Sequence, residues 1–237
     1  MHRNCTHVIK GVIFDLDGVI CSTDEYHYQA WKALSDQLGI YFDREINNRL
    51  RGVSRMASLD IILERSDKTY SEAEKAGFAE VKNTLYRKLL GQMNPADLAK
   101  EVKETLHALR AAGLKLAIGS SSKNTPYILE RIGLGDFFDA VSDGNNITHS
   151  KPDPEVFLKA AKMLALSPSA CLVVEDAHAG VEAAVNGGFD AAAIGDAKED
   201  ERAAWHLNRF ADLLIVVERE AKDGKNFFSE NMVEMEW

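Results

Sequence analysis

Cysteine is scarce in this chain: 237 residues carry Cys5, Cys21 and Cys171 only, an odd number with no CxxC spacing. That argues against a disulfide framework and reads as reduced thiols, with Cys171 a small core residue in an apolar run. No basic block is present and the net charge is −9, so nucleic-acid binding through a cationic face is not expected. A phosphorylated small molecule still needs only a few local cations. No apolar stretch approaches the ~20 residues that span a bilayer. The first apolar run, Val8–Phe14, is short for a signal-peptide core and contains Lys10. There is no internal repeat. A soluble, cytoplasmic enzyme is expected, with neither membrane nor nucleic acid among its partners.

What is present begins at Val12-Ile13-Phe14-Asp15-Leu16-Asp17-Gly18-Val19. An apolar, mostly β-branched run reads as a buried strand, ended by two acids two positions apart and a glycine able to turn the chain. Alternation along a continuing strand would not let Asp15 and Asp17 converge. A loop starting at Leu16 would, at the carboxyl end of the strand, where open α/β sheets place their ligand crevices. Two acids in one crevice repel unless a cation lies between them or one keeps its proton. The pair therefore suggests a hard cation such as Mg²⁺, or a nucleophile beside an acid/base.

The next stretch is helical. Ala30, Trp31, Leu34 and Leu38 recur at helical spacing in Asp24–Leu38, which Gly39 ends. Ser54–Arg65 repeats the pattern, and Ser71 with Glu74 fits a capping box opening a third helix toward Leu90. Beyond Asn94-Pro95 helices and strands alternate: helix Ala96–Ala112, strand Leu114–Ile118, a helix from Pro126, strand Ala140–Val141, helix Pro154–Leu164, strand Cys171–Val174, helix Gly180–Val185, strand Ala191–Ile194, and a further strand at Asp212–Val217. Such alternation predicts an α/β fold, a Rossmann-like parallel sheet covered on both faces. The first strand must join that sheet. Residues 1–21 and 95–237 are then the catalytic core, and 22–94 an inserted helical cap.

Chemistry-bearing residues follow the strands. Ser120-Ser121-Ser122-Lys123-Asn124 offers hydroxyls, exposed N–H groups and a helix start, an anion site. Lys151 sits in the proline-stiffened Lys-Pro-Asp-Pro segment. Glu175-Asp176 ends the apolar Cys171–Val174 run, a second acidic pair at a strand end, while His178 reads as a solvated helix residue. Two acidic pairs with a hydroxyl loop and a lysine between them suggest an Mg²⁺–phosphate site.

These signals, in this order, resemble the haloacid dehalogenase superfamily of phosphotransferases. The insertion is similar to the cap of its β-phosphoglucomutase branch, through Asp17–Thr23, Glu25-Tyr-His27, Ala30-Trp31, Arg51-Gly52-Val53-Ser54-Arg55, Lys82-Asn83 and the Ser120 loop. The resemblance implies Asp15 as the nucleophile that becomes an aspartyl phosphate, and Asp17 as general acid/base. It implies Mg²⁺ held by Asp15, the Asp17 carbonyl and Asp176, with Glu175 at or beside the ion. Ser120 and Lys151 would bind the transferring phosphoryl group, with Ser121, Lys123 and Asn124 shaping that side. Arg55 would hold a second phosphate, His27 would orient Asp17 or the hinge near Thr23, and Arg51, Gly52, Ser54 and Lys82 would meet the sugar or the cap interface. Trp31 counts among the substrate-side residues and equally as core at helical spacing. The reaction implied is interconversion of β-glucose 1-phosphate and glucose 6-phosphate through a bisphosphate, by a monomer. A sugar-phosphate phosphatase is the alternative. A non-catalytic binding protein fits less well, because the core set is complete. The family's Pro-Gly at the cap-to-core return is absent, the stretch reading Ala99-Lys100-Glu101.

Overall fold

A computed structural model describes residues 8–50 and 53–220. In chain order its regular elements are β1 (Gly11–Phe14), α1 (Asp24–Leu38), α2 (Arg44–Asn48), α3 (Arg55–Leu63), α4 (Glu72–Leu90), α5 (Lys100–Ala111), β2 (Lys115–Gly119), α6 (Thr125–Arg131), β3 (Ala140–Ser142), α7 (Glu155–Met163), β4 (Cys171–Glu175), α8 (His178–Asn186), β5 (Asp190–Ala193) and β6 (Trp205–His206). The strands form one parallel sheet in the order β3-β2-β1-β4-β5-β6. This is the Rossmann-like α/β architecture expected. The chain works outward from β1 through β2 to β3, then returns to the other side of β1 at β4. The strand order therefore reverses at β1, and the crevice above it is where a ligand fits.

β1 and β4 are buried along their full length, as a sheet covered on both faces requires. One apolar cluster lies on the α5/α6 side (Phe14, Leu116, Leu172 and Val174 among it), and another under α7 and α8 (Ile13, Phe157, Val173, Val181). A third belongs to the helical insertion and gathers Trp31, Leu34, Phe42, Leu59 and Ile62. The insertion is not sealed off from the sheet, because Ala30, Tyr86, Leu90 and Met93 join the first cluster.

Three sequence expectations need correction. Residues 213–220 are helical where a strand was expected at Asp212–Val217. Leu213 and Val216 are both buried, one helical turn apart, and in a short apolar run that spacing cannot be told from a strand by composition. The expected helix Ala96–Ala112 is broken. A 3₁₀ turn spans Pro95–Asp97, Leu98 is extended, and α5 starts at Lys100. Asn94 and Asp97 close that turn reciprocally as a capping box, so the return to the core is shaped without Pro-Gly. The first strand starts at Gly11, not Val8. The short α2 and β6 were not foreseen.

Candidate active site

Everything that bears chemistry meets at the carboxyl edge of the sheet. The Asp15 N–H still donates to the Val174 carbonyl at 3.0 Å, so its side chain is placed by sheet register. The chain then turns tightly: Gly18 N–H donates to the Cys21 carbonyl at 2.8 Å, and Ile20 N–H to that of Leu16 at 3.0 Å. Gly18 has φ +84°, and a Cβ there would run into the Asp176 carboxylate, so both backbone freedom and space demand glycine. Gly180 in the first turn of α8 likewise leaves room for the Glu175 carboxylate.

Lys151 is buried between two acids, 2.5 Å from Asp15 and in direct contact with Glu175, with its ammonium 4.8 Å above the Phe157 ring. Burial opposes its charge, but Asp15 and Glu175 outweigh burial and hold it well above the usual lysine range. Oxygens of Asp15, Glu175 and Asp176 lie within 4.8 Å of one another. Burial pushes Asp176 up to about 8 and Glu175 to about 7, with the Asp15 charge adding to both. An all-oxygen cluster of acids resisting ionisation is the donor set a hard divalent cation satisfies, and the two glycine-cleared carboxylates fit such an ion. Both Glu175 oxygens are already engaged, one by Lys151 and the other by the Ala177 N–H at 3.0 Å. The Asp15 and Asp176 side chains, with Glu175 beside them, are the candidates to hold such an ion. The Asp17 carboxylate stands outside this cluster.

Asp17 is held from the insertion. Thr23 donates to its carboxylate, and Tyr86 of α4 donates to Thr23 Oγ1 at 3.0 Å. Burial, then Asp15, raises Asp17 to about 7, while the Thr23 bond and the charges of Lys82 and Lys151 restrain the rise. A carboxyl titrating near neutrality is suited to giving and taking protons. The His27 ring does not touch Asp17, contrary to one of its expected roles. Its Nδ1 is 2.8 Å from Lys82 Nζ and its ring stacks near Tyr86, while its backbone N–H meets the Thr23 carbonyl. Tyr86 carries no motif signal. Only the helical spacing that sets it one turn after Lys82 and Asn83 pointed inward.

A cavity of about 750 Å³ opens between these groups and the insertion. Lys82 is buried in it over the Trp31 and Tyr86 rings, at 4.6 and 4.3 Å. Burial first, then neighbouring cationic groups, drive both Lys82 and His27 well below their usual ranges. Trp31 is thus both core and cavity wall. Arg55 also lines the cavity, its acidity raised by burial and partly offset by Glu80. Ser54 lines it too while capping α3 through the Ala57 N–H. Across from them the Ser120 hydroxyl accepts from the Ser122 N–H at 3.2 Å, and the buried Ser121 Oγ has no partner. Lys123 and Asn124 complete that wall, but the Asn124 amide is turned toward α4. Arg51 and Gly52 lie outside the described residues. His178 pairs with Asp200 at 2.7 Å rather than reaching the cavity acids.

A family model for haloacid dehalogenase-like hydrolases matches residues 9–188. The chain belongs to that family. Among similar haloacid dehalogenase proteins is the β-phosphoglucomutase of Bacillus subtilis (strain 168), 40% identical over 209 residues, covering 87% of this chain and 92% of that one. A phosphorylated carbohydrates phosphatase of Thermotoga maritima is 30% identical over 185 residues, covering 77% and 83%. The fructose-1-phosphate phosphatase of Escherichia coli (strain K12) is 31% identical over 182 residues, covering 76% and 94%. The crystal structure of β-phosphoglucomutase from Clostridium difficile superposes with a TM-score of 0.84 at 34% identity, covering 93% of this chain and 99% of that one. In the core Asp15 and Ser120 directly follow β1 and β2, Asp176 directly follows β4 and Lys151 lies in the segment between β3 and α7, while Thr23, backed by Tyr86, reaches Asp17 from the insertion.

The Thr23 bond yields a test. Thr23→Val removes a contact that lowers the Asp17 pKa, so the limb of the pH–rate profile set by Asp17 should move to higher pH. The buried Tyr86 hydroxyl also loses its acceptor, which costs about 1–3 kcal/mol. A limb that stays in place in kcat/KM profiles would show that Thr23 does not tune Asp17.

Proposed function

We infer that this protein interconverts β-glucose 1-phosphate and glucose 6-phosphate by way of an aspartyl phosphate and a sugar bisphosphate. One observation carries the reading: a single cavity is lined by anion-binding groups from both sides, Ser120 and Lys151 on the core and Arg55 on the insertion. A molecule with one phosphate uses one side, and a bisphosphate that turns end for end uses both. The 40% identity to a β-phosphoglucomutase agrees with this.

In the first step an Asp15 oxygen attacks phosphorus, the bond from phosphorus to the sugar oxygen breaks, and Asp17 gives that oxygen a proton. In the second step the free hydroxyl of a bound sugar monophosphate attacks the aspartyl phosphate and passes its proton to Asp17 as the bond to Asp15 breaks, giving the bisphosphate, whose other phosphate returns to Asp15 by the first step once it has turned end for end. Lys151 and the Ser120 loop hold the phosphoryl oxygens throughout. Asp15, Asp176 and the Asp17 carbonyl would hold Mg²⁺, which would neutralise charge where nucleophile and phosphoryl group meet. A half-buried Asp17 under a covering insertion makes water a poor competitor to a sugar held from both sides.

Incubation with β-glucose 1-phosphate, Mg²⁺ and traces of the bisphosphate should yield glucose 6-phosphate. Free phosphate without it would establish the phosphatase reading. Arg55→Ala should lose mutase turnover by roughly 10²–10³-fold, the scale of one transition-state contact, yet still be labelled on Asp15 by a small phosphoryl donor. Undiminished turnover would remove Arg55 from the substrate site.

A further inference from the structure

One acid in the cavity has no part in the chemistry described so far. Glu80 lines the cavity from α4, on the helix face that also turns Ala76, Ala79 and Lys82 inward. Its carboxylate is exposed and shares this space with Arg55 of α3. The two helices are fastened to each other: Lys75 of α4 meets Asp60 of α3 at 2.9 Å, and Leu59 and Ala79 share the insertion's apolar cluster. Arg55 opens α3 directly after the Ser54 cap, where the helix dipole favours an anion and opposes a cation. It is therefore placed to meet an arriving anion. Until one arrives, the charge that most favours its guanidinium is that of Glu80. Among the described residues the Glu80 side chain has no hydrogen bond and no ion pair within 4.0 Å. It acts on Arg55 from a distance and leaves the cation open.

We propose that Glu80 is a counter-charge to Arg55 that weakens the insertion's hold on the second phosphate and so lets the bisphosphate leave and turn. This rests on the reading that Arg55 takes that phosphate in a mutase cycle. Such a cycle needs a grip that is firm for one step and then given up. Holding the bisphosphate as tightly as the transition state lowers KM without adding to kcat. Here it also delays the turn that brings the other phosphate to Asp15. A phosphate carrying about two negative charges meets Arg55 with Glu80 beside it, so repulsion trims the attraction. An exposed carboxylate acts through a medium close to water, which makes that repulsion modest and open to screening by salt. The grip is thus set by the pair and not by the arginine alone.

The test uses the full chain with Mg²⁺. β-Glucose 1,6-bisphosphate is titrated by calorimetry into Asp15→Asn protein, where no phosphoryl group can move, and turnover of β-glucose 1-phosphate is followed with Asp15 intact. In both backgrounds Glu80→Gln keeps the size of the side chain and removes its charge. Glu80 is exposed, so the change leaves the core alone. The bisphosphate should bind roughly three- to tenfold more tightly, the scale of a unit charge acting through a largely aqueous medium, and KM and kcat should both fall. Glu80→Asp, which keeps the charge, should stay near wild type. The gain should shrink as salt rises from about 0.1 to 1 M, over which the screening length falls from about 10 to 3 Å. Equal affinity of the glutamine variant and wild type at the lower salt would overturn the proposal. So would a gain that salt does not reduce, which would mark a packing effect. Weaker binding in Glu80→Gln would overturn it by making Glu80 a ligand of the sugar, and tighter binding with undiminished kcat would remove its part in release. If β-glucose 1-phosphate yields free phosphate and no glucose 6-phosphate, the mutase reading fails, while the binding constants still decide whether Glu80 opposes the phosphate.

Discussion

Asparagine in place of Asp15 should abolish phosphoryl transfer, by roughly 10⁴–10⁶-fold, the scale seen when a covalent nucleophile is removed, without unfolding the protein. The amide oxygen can still accept from Lys151, which keeps its ion pair with Glu175. What disappears is one of three carboxylates whose oxygens lie within 4.8 Å of one another. Their mutual repulsion, together with burial, is what raises Asp176 to about 8. With one charge fewer, Asp176 ionises more readily, and the metal-free variant should melt at the same temperature as wild type or higher. Mg²⁺ should then protect it less, because a ligand is lost. Activity, radiolabel from a phosphoryl donor and melting with and without Mg²⁺ make three separate readings. Sugar-phosphate turnover at the wild-type rate would end the covalent mechanism. A large drop in metal-free stability would mean that Asp15 holds the fold rather than straining it.

The site divides by how its parts are encoded. Asp15, Ser120, Glu175 and Asp176 were legible because each closes or directly follows an apolar strand, and a parallel sheet carries all strand ends to one edge, while Lys151 was legible from its proline-stiffened segment. Five short local signals sufficed. The control of Asp17 was not legible, because it runs through Tyr86 on a helix more than sixty residues away (|i−j| = 63 to Thr23), and an inward tyrosine at helical spacing looks like any core residue. Asn124 was read with the substrate from its place in the loop, but whether its amide faces the cavity or α4 depends on how the insertion sits. His27 was expected at Asp17 or the hinge near Thr23, and the ring partner that decides its direction, Lys82, comes from α4. The strand expected at Asp212–Val217 failed differently. Leu-Leu-Ile-Val-Val has no polar positions to reveal a period, and docking of Leu213 and Val216 on the first apolar cluster decided for helix.

Methionine in place of Lys151 should be the most costly single change to the fold, and its cost should depend on pH. The side chain is of similar length and can keep its place over Phe157. What it removes is the cation between Asp15 and Glu175, both buried, and breaking such a pair from one side costs about 3–5 kcal/mol. Lys151 restrains the acidity shifts of Glu175, Asp176 and Asp17, so without it their native pKa values climb further above those of the unfolded chain. Native protein then binds more protons than unfolded protein, and stability falls as pH rises. The deficit should be small near the ordinary carboxylate range, at about pH 4–5, grow through neutrality, and be complete above the raised native values. Mg²⁺ should recover part of it on the alkaline side, where the acids are ionised and free to bind. Chemical denaturation of both proteins across that range, with and without Mg²⁺, measures this directly. A deficit of equal size at every pH would show that Lys151 supports the core by packing on Phe157, and that the buried acids are balanced by something other than its charge.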